Sequence, residues 1–328
     1  MKKIIVFFMI FIFIFSSLSA FALDINTSIN TAVNYYENNF KTIQNWDEII
    51  ALKTSSKNKA FEYKPMTTSE CNLSDINSLI GFIISNVACK NTSKKDFGGM
   101  DMAKKLADFQ TNEGVFGDSL YNHFYSMIAL DMYGQSYDRE AAYSYAVSSQ
   151  LEDGSFSFDG KNGDIDLTAL AIIAMSDRVM KKTEIMNCVN KAITYLNSKQ
   201  LENGGFESMG NDNANSLAMV ISALSSVGVD LKDERWHNIL DSTERFKNPD
   251  GSYRYLENDE KKYNKFATSQ MLMALNDAKI QKSSFKTVGI YTIYSPMKNI
   301  TAQIIVLVVI FAVTFITGYF IRKKRKLK

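Results

Sequence analysis

The 328-residue chain has few of the residues that usually punctuate or cross-link a fold: three prolines, three cysteines and two histidines. The prolines stand at 65, 249 and 296, so long helices are permitted almost everywhere else. Strict apolar–polar alternation is also missing, which argues against a sandwich or a barrel. Three cysteines are too few for a disulfide scaffold. In an oxidising exterior Cys71 and Cys89 could pair and leave Cys188 free, or all three could stay reduced. Sequence spacing does not give the Cα separation that a disulfide demands.

Both ends differ from the middle. Lys2 and Lys3 precede an apolar run from Ile4 to Phe15, and small residues lead to Ala20-Phe21-Ala22. This is the pattern of a secretory signal peptide cut after Ala22, and the absence of cysteine at the cut argues against a lipid-modified N-terminus. Ile300 to Ile321 holds no charged residue over 22 positions and is followed by Arg322-Lys323-Lys324-Arg325-Lys326-Leu327-Lys328. An apolar stretch of that length with a basic flank predicts a transmembrane helix with a short cytoplasmic tail. Two lysines in the leader and six cations in the tail leave 29 basic against 35 acidic residues in between, a net charge of −6. No basic face for nucleic acid is implied. The expected order is signal peptide 1–22, extracellular domain 23–282, linker 283–299, transmembrane helix 300–321 and basic tail 322–328. The protein is thus expected in the cell membrane as a single-pass type I chain of a prokaryotic surface.

The middle has helical periodicity. "LTALAIIAM" (167–175), "SLAMVISAL" (216–224) and "TSQMLMAL" (268–275) are apolar on nearly every face, as helices packed on both sides must be. "IMNCVNKAITYLNSKQ" (185–200) spaces its apolar residues, as an outer helix would. Four copies of one turn separate such pairs: "QTNEGVF" from Gln110, "QLEDGSF" from Gln150, "QLENGGF" from Gln200 and "KNPDGSY" from Lys247. Intervals of 40, 50 and 47 residues suit one helical hairpin each. The chain therefore reads as all-α, with about eleven helices in a solenoid or a closed ring.

The turn has a structural account. Gly114, Gly154, Gly204 and Gly251 supply the left-handed conformation that ends a helix. Gln110, Gln150 and Gln200 can bond orphan backbone groups there. Asp153 and Asp250 belong to the turn, while Phe116, Phe156, Phe206 and Tyr253 can bury beneath a neighbour. A site is rarely copied four times, whereas a joint between repeats routinely is.

At "QLEDGSF", "QLENGGF" and "NPDGSY" the chain resembles the prenyltransferase and squalene-oxidocyclase repeat superfamily, well over residues 100–280 and weakly over 25–100. Its stretch Asn213 to Leu275 is similar to the secreted, membrane-anchored prokaryotic branch related to the helical domain of transcobalamin-like proteins. The resemblance implies an α/α toroid of five to six hairpins, here with one C-terminal transmembrane helix. Its inner helices would begin near Leu120, Asp164, Asn213 and Asn264. It implies binding of a small molecule, with a corrinoid-like ligand among the choices, or of a protein partner that could serve as a separate lid. A cyclase-like enzyme acting on an isoprenoid and a purely architectural surface module are the alternatives.

The residues fit the family's chemistry poorly. Its prenyltransferases hold zinc with Asp, Cys and His, but no cysteine accompanies His123 at a repeat-equivalent place, and His237 lies in an outer helix, "ERWHNIL" (234–240). Class II cyclases use D-x-D-D; Gly163-Asp164-Ile165-Asp166-Leu167 lacks the last acid. No metal or cofactor is therefore expected, and no catalytic residue is assigned. The candidate ligand-binding residues are Tyr121, His123, Asp164, Asp166, Asn213, Asn215 and Thr268, at or near the starts of inner helices. Helix N-termini there suit a ligand with oxygen atoms, and the tyrosines suit a flat one.

Overall fold

The computed structural model describes residues 24–55, 61–92, 97–260 and 262–289. The expected signal peptide, the end of the expected linker, the expected transmembrane segment 300–321 and the basic tail lie outside them. No helix among the described residues is long and apolar enough to cross a membrane.

Eleven α-helices are described: α1 (Ile25–Asn39), α2 (Trp46–Thr54), α3 (Ile76–Ala88), α4 (Met102–Ala107), α5 (Leu120–Tyr133), α6 (Arg139–Ser148), α7 (Ile165–Met175), α8 (Thr183–Lys199), α9 (Ala214–Ser226), α10 (Lys265–Ile280) and α11 (Ser284–Val288). Helices α2, α3, α5, α7, α9 and α10 form an inner ring, each packing on the next, and α10 closes it against α2. Outside stand α1, α4, α6, α8 and a 3₁₀ helix at Asp241–Phe246. This is the α/α toroid, with six sectors. The sector between α2 and α3 shows no outer helix among its described residues. There β2 (Glu62–Tyr63) pairs in parallel with β1 (Thr42–Ile43). A second ribbon, β3 (Glu207–Ser208) with β4 (Asn211–Asp212), leads into α9.

The sequence explains where the inner helices start. Asp75, Ser119, Asp164, Asn213 and Asn264 are their N-caps, each accepting from a backbone N–H in the first turn. The four expected starts thus hold to within a residue. Below the caps these helices are buried on almost every side, with Leu167, Ala171, Leu217, Ile221, Met271 and Leu275 all at or below 1% exposure.

Three expectations are corrected. The segment around His237 does not form an outer α-helix: Asn238 takes a left-handed φ of 44°, and regular structure resumes only as the 3₁₀ helix. The Cys71–Cys89 pair is not made, and all three cysteines are free. The Cys71 thiol lies 3.8 Å from Ser78 Oγ in the first turn of α3, whereas Cys89 caps the other end of that 13-residue helix. A helix of that length holds its ends roughly 20 Å apart, far beyond disulfide reach. Third, the toroid does not stop at 282. Ser284–Val288 folds into α11, which packs on α2, α5 and α10.

α11 stoppers the ring. Ser283 caps it, Ser284 donates to Asp277 near the end of α10, and Lys286 pairs with Asp177 at 2.8 Å. Phe285 points into the bore, with its ring 6.1 Å from Trp46 and 6.3 Å from Tyr125.

Candidate functional site

The repeated turn is a joint. Gln150 Nε2 donates to Gly154 O within its own turn and to Cys188 O on the next outer helix, at 2.9 and 2.8 Å. Gln110 does the same to Gly114 O and Asp138 O, and Gln200 to Gly204 O and His237 O. In the fourth copy Lys247 Nζ reaches Ser28 Oγ on α1, so the last turn joins the first helix and closes the ring. The turn glycines face the same neighbours: Ala141, Lys191, the His237–Ser242 segment and Thr31 stand where a Cβ would be. Asp153 and Asp250 hold their turns by accepting from the backbone N–H groups of Ser155 and Ser252. Phe116, Phe156, Phe206 and Tyr253 are fully buried.

Several candidate ligand residues serve this joint. The residue four places beyond the inner-helix cap supports the turn aromatic. His123 Nδ1 accepts from Phe116 N–H at 3.3 Å, and Thr168 and Thr268 hydroxyls accept from Phe156 and Tyr253 N–H at 2.9 Å. His123 is fully buried, and its Nε2 lies 3.1 Å from Ala142 O. Burial holds its pKa down at about 4. Asp164 and Asn213 act as caps, accepting from Leu167 N–H at 2.7 Å and Ser216 N–H at 2.9 Å.

Counting from the caps finds the face that remains. Two residues after each cap come Asn77, Tyr121, Asp166, Asn215 and Phe266, and all are at least partly accessible. Six residues after come Gly81, Tyr125, Leu170, Met219 and Gln270. A helix brings positions four apart onto one face, so these two tiers line the ring's mouth. Tyr121 and Tyr125 confirm the geometry on α5, their ring centroids lying 4.7 Å apart. Below them Trp46, Tyr125 and Phe285 form a floor, with Trp46 5.7 Å from Tyr125. The mouth is therefore a cup rather than a through-channel.

Asp166 Oδ1, Asn215 Oδ1 and Gln270 Oε1 are buried oxygens with no hydrogen-bond partner, on the adjoining helices α7, α9 and α10. Buried polar atoms are normally paired, so three unpartnered oxygens on adjoining helices make this the candidate site. Burial pushes the Asp166 pKa up to about 6, a hydrogen bond from the Ser216 hydroxyl to the carboxyl opposing and Asp164 adding to the rise. Asp47 of α2 is also raised by burial, although Ser269 Oγ donates to it at 2.5 Å. Burial raises the Tyr125 hydroxyl as well, and Tyr121 and both carboxylates add to that rise.

Of the seven candidates, Tyr121, Asp166 and Asn215 share the rim, while His123, Asp164, Asn213 and Thr268 support it. Sequence reasoning missed Gln270, Asp47, Trp46 and Phe285. The first follows from its place six residues beyond the cap of α10; the others depend on how α2 and α11 enter the bore. Among the described residues no group of three or more His, Cys, Asp or Glu could hold a metal ion. A separate groove of about 760 Å³ lies beside α3, where Asn86 already donates to Met66 O and Phe82 O.

The sequence pattern of the prenyltransferase alpha-alpha toroid domain matches residues 74–216 and 187–294, which together span most of the ring. The chain belongs to that family. No curated protein matches it. Among solved structures, a protein from Actinoplanes aligns with a TM-score of 0.55 at 10% identity, over 78% of this chain and 100% of that one. A polysaccharide lyase aligns with a TM-score of 0.55 at 12% identity, over 84% of this chain and 99% of that one. At such identities both likenesses are of fold alone.

Proposed function

We propose that this protein is a membrane-anchored surface receptor whose toroid binds a small molecule in the cup at the inner-helix N-termini, without transforming it. The observation that carries this reading is the set of three unpartnered buried oxygens of Asp166, Asn215 and Gln270 on adjoining helices. The secretory leader and the charge-free 300–321 segment support an extracellular toroid on a single membrane helix. No feature of the rim favours a corrinoid over other small molecules. A protein partner over the mouth and a purely architectural module are the outcomes that would replace ligand binding.

A cyclase-like enzyme has one observation in its favour: Asp166 is a buried carboxyl whose pKa of about 6 would let it act as an acid. Against it, Trp46, Tyr125 and Phe285 occupy the bore where an isoprenoid chain would lie.

Native mass spectrometry of the full chain released from detergent micelles tests the receptor reading. A stoichiometric small molecule is expected on the wild type and is expected to be lost from an Asn215→Ala/Gln270→Ala variant of unchanged circular dichroism. A wild type that is repeatedly empty, or a variant that retains the adduct, sinks it.

A further inference from the structure

We infer that the ligand of this cup is a neutral saccharide, its hydroxyls read by Asp166, Asn215 and Gln270 and its ring face laid against Tyr121 and Phe266. This rests on the receptor reading above and adds the chemical class of the ligand.

Three independent features of the rim converge on that class. The first is the hydrogen-bond inventory. A carboxylate accepts only, a protonated carboxyl also donates, and an amide offers an acceptor at one end and donors at the other. Which end of an amide faces inward is set by its partner. A hydroxyl is donor and acceptor at once, so it satisfies Asp166 in either protonation state and Asn215 and Gln270 in either orientation. A ligand presenting several hydroxyls can complete the three unpartnered oxygens together.

The second is the aromatic complement. Only seven large hydrophobic side chains are prominently exposed among the described residues, and two of them, Tyr121 at 42% and Phe266 at 55%, occupy the same tier two places beyond a cap. Exposing large rings costs free energy unless something covers them. Rings flanking a patch of hydrogen-bonding groups match a ligand with an apolar face and a polar edge. A pyranose is such a ligand: its C–H groups form a face and its hydroxyls project around it.

The third is charge. The five residues of the upper tier carry no cation, and the carboxylates in and below it are Asp166 and Asp47. Lys265, beside the rim on α10, has its Nζ 5.2 Å over the Phe266 ring. An anionic sugar or a phosphate would bring its charge towards Asp166 and Asp47, whereas a neutral sugar has nothing to repel. The rim therefore selects for uncharged rings.

The test uses the full-length protein in detergent micelles, with Trp46 in the cup floor as a fluorescent reporter in a Trp236→Phe background and saturation-transfer NMR as a second readout. The probes are maltotriose, cellotriose, xylotriose and mannotriose, with trigalacturonate as the charged counterpart. At least one neutral trisaccharide is expected to perturb both signals at millimolar concentration, and trigalacturonate at least tenfold more weakly. Tyr121→Ala and Asn215→Ala are each expected to weaken that binding by about tenfold, close to 1.4 kcal/mol, with circular dichroism unchanged. Gln200→Ala, altered at the joint and away from the rim, should leave the affinity unaltered. If no neutral trisaccharide binds while native mass spectrometry finds another small molecule in the cup, the saccharide inference is overturned and the receptor reading stands. If neither sugar nor any other small molecule is found, both fall. Preferential binding of trigalacturonate overturns the inference as well.

Discussion

Gln150 and Cys188 stand thirty-eight residues apart, yet the side-chain amide of one donates to the backbone carbonyl of the other at 2.8 Å. That single bond explains why a glutamine opens the repeated turn. It ties the end of α6 to the flank of α8, and the same amide also braces Gly154 O. Gln150→Ala is expected to leave the Cys188 carbonyl without its partner and lower stability by about 1–2 kcal/mol. Urea denaturation of the wild type and the variant measures this directly. A loss too small to resolve would mean that the joint is held by packing alone.

The turn glycines make a sharper contrast. Gly154 has φ of +89°, and a Cβ there would sit 2.5 Å from Lys191 O on the next outer helix. Gly160, six residues on, has φ of +73° and nothing within 4 Å of a built Cβ. Both alanine variants meet backbone strain of about 1 kcal/mol or more, but only Gly154→Ala must also push two helices apart, for a total of about 3 kcal/mol or more. The midpoint of thermal unfolding should therefore fall much further for Gly154→Ala. Equal shifts would show that φ, not the close approach, decides the glycine.

Much of this fold could be read from the sequence because its determinants are local. The caps at Ser119, Asp164, Asn213 and Asn264 are single polar residues ahead of apolar runs, and the turn announces itself by repetition. What depended on distant contacts was not legible. Gln110, Gln150 and Gln200 were read as capping their own helices, because nothing in the order of residues shows that the next outer segment lies within reach. The 3₁₀ helix at Asp241–Phe246 replaces an expected α-helix for a comparable reason: Asn238 turns left-handed where Gly204 docks on that segment. At the candidate site the rim residues Tyr121, Asp166 and Asn215 were found by their place near helix starts. Gln270 was overlooked because it lies one turn deeper, and Phe285 because it was read as linker.

His123 offers a pH test of the joint. An unfolded histidine titrates near 6.5, but burial holds this one at about 4 in the folded protein. Between those values the unfolded chain takes up a proton that the folded chain refuses. Stability is therefore fully present above pH 6.5 and falls as the pH drops towards 4, by at most about 1.4 kcal/mol per unit. Thr168 and Thr268 fill the equivalent place elsewhere in the ring, so His123→Thr should keep the bond from Phe116 N–H while removing the titration. The variant is expected to be less stable than wild type at pH 7, having lost ring packing, and to close that gap by pH 5. Urea midpoints at the two pH values check it; a gap independent of pH would mean that the imidazole accepts its proton without cost.

The stopper carries the opposite dependence. Asp277 is fully buried beneath α11 with Ser284 donating to it, and burial pushes its pKa up to about 8, with the Ser284 and Ser222 hydroxyls opposing. An unfolded aspartate titrates near 3.8. Between these values the folded protein holds a proton that the unfolded chain has released, so this group's contribution to stability is greatest below pH 4. It declines as the pH rises to 8, by at most about 1.4 kcal/mol per unit. An asparagine in its place would be neutral throughout, and its amide oxygen could still accept from Ser284. Asp277→Asn should therefore match or fall slightly below the wild type at pH 3.5 and exceed it at pH 8.5, in urea unfolding followed by circular dichroism. A wild type that gains on the variant as the pH rises would show that Asp277 is ionised in the folded protein and that α11 is held by charge.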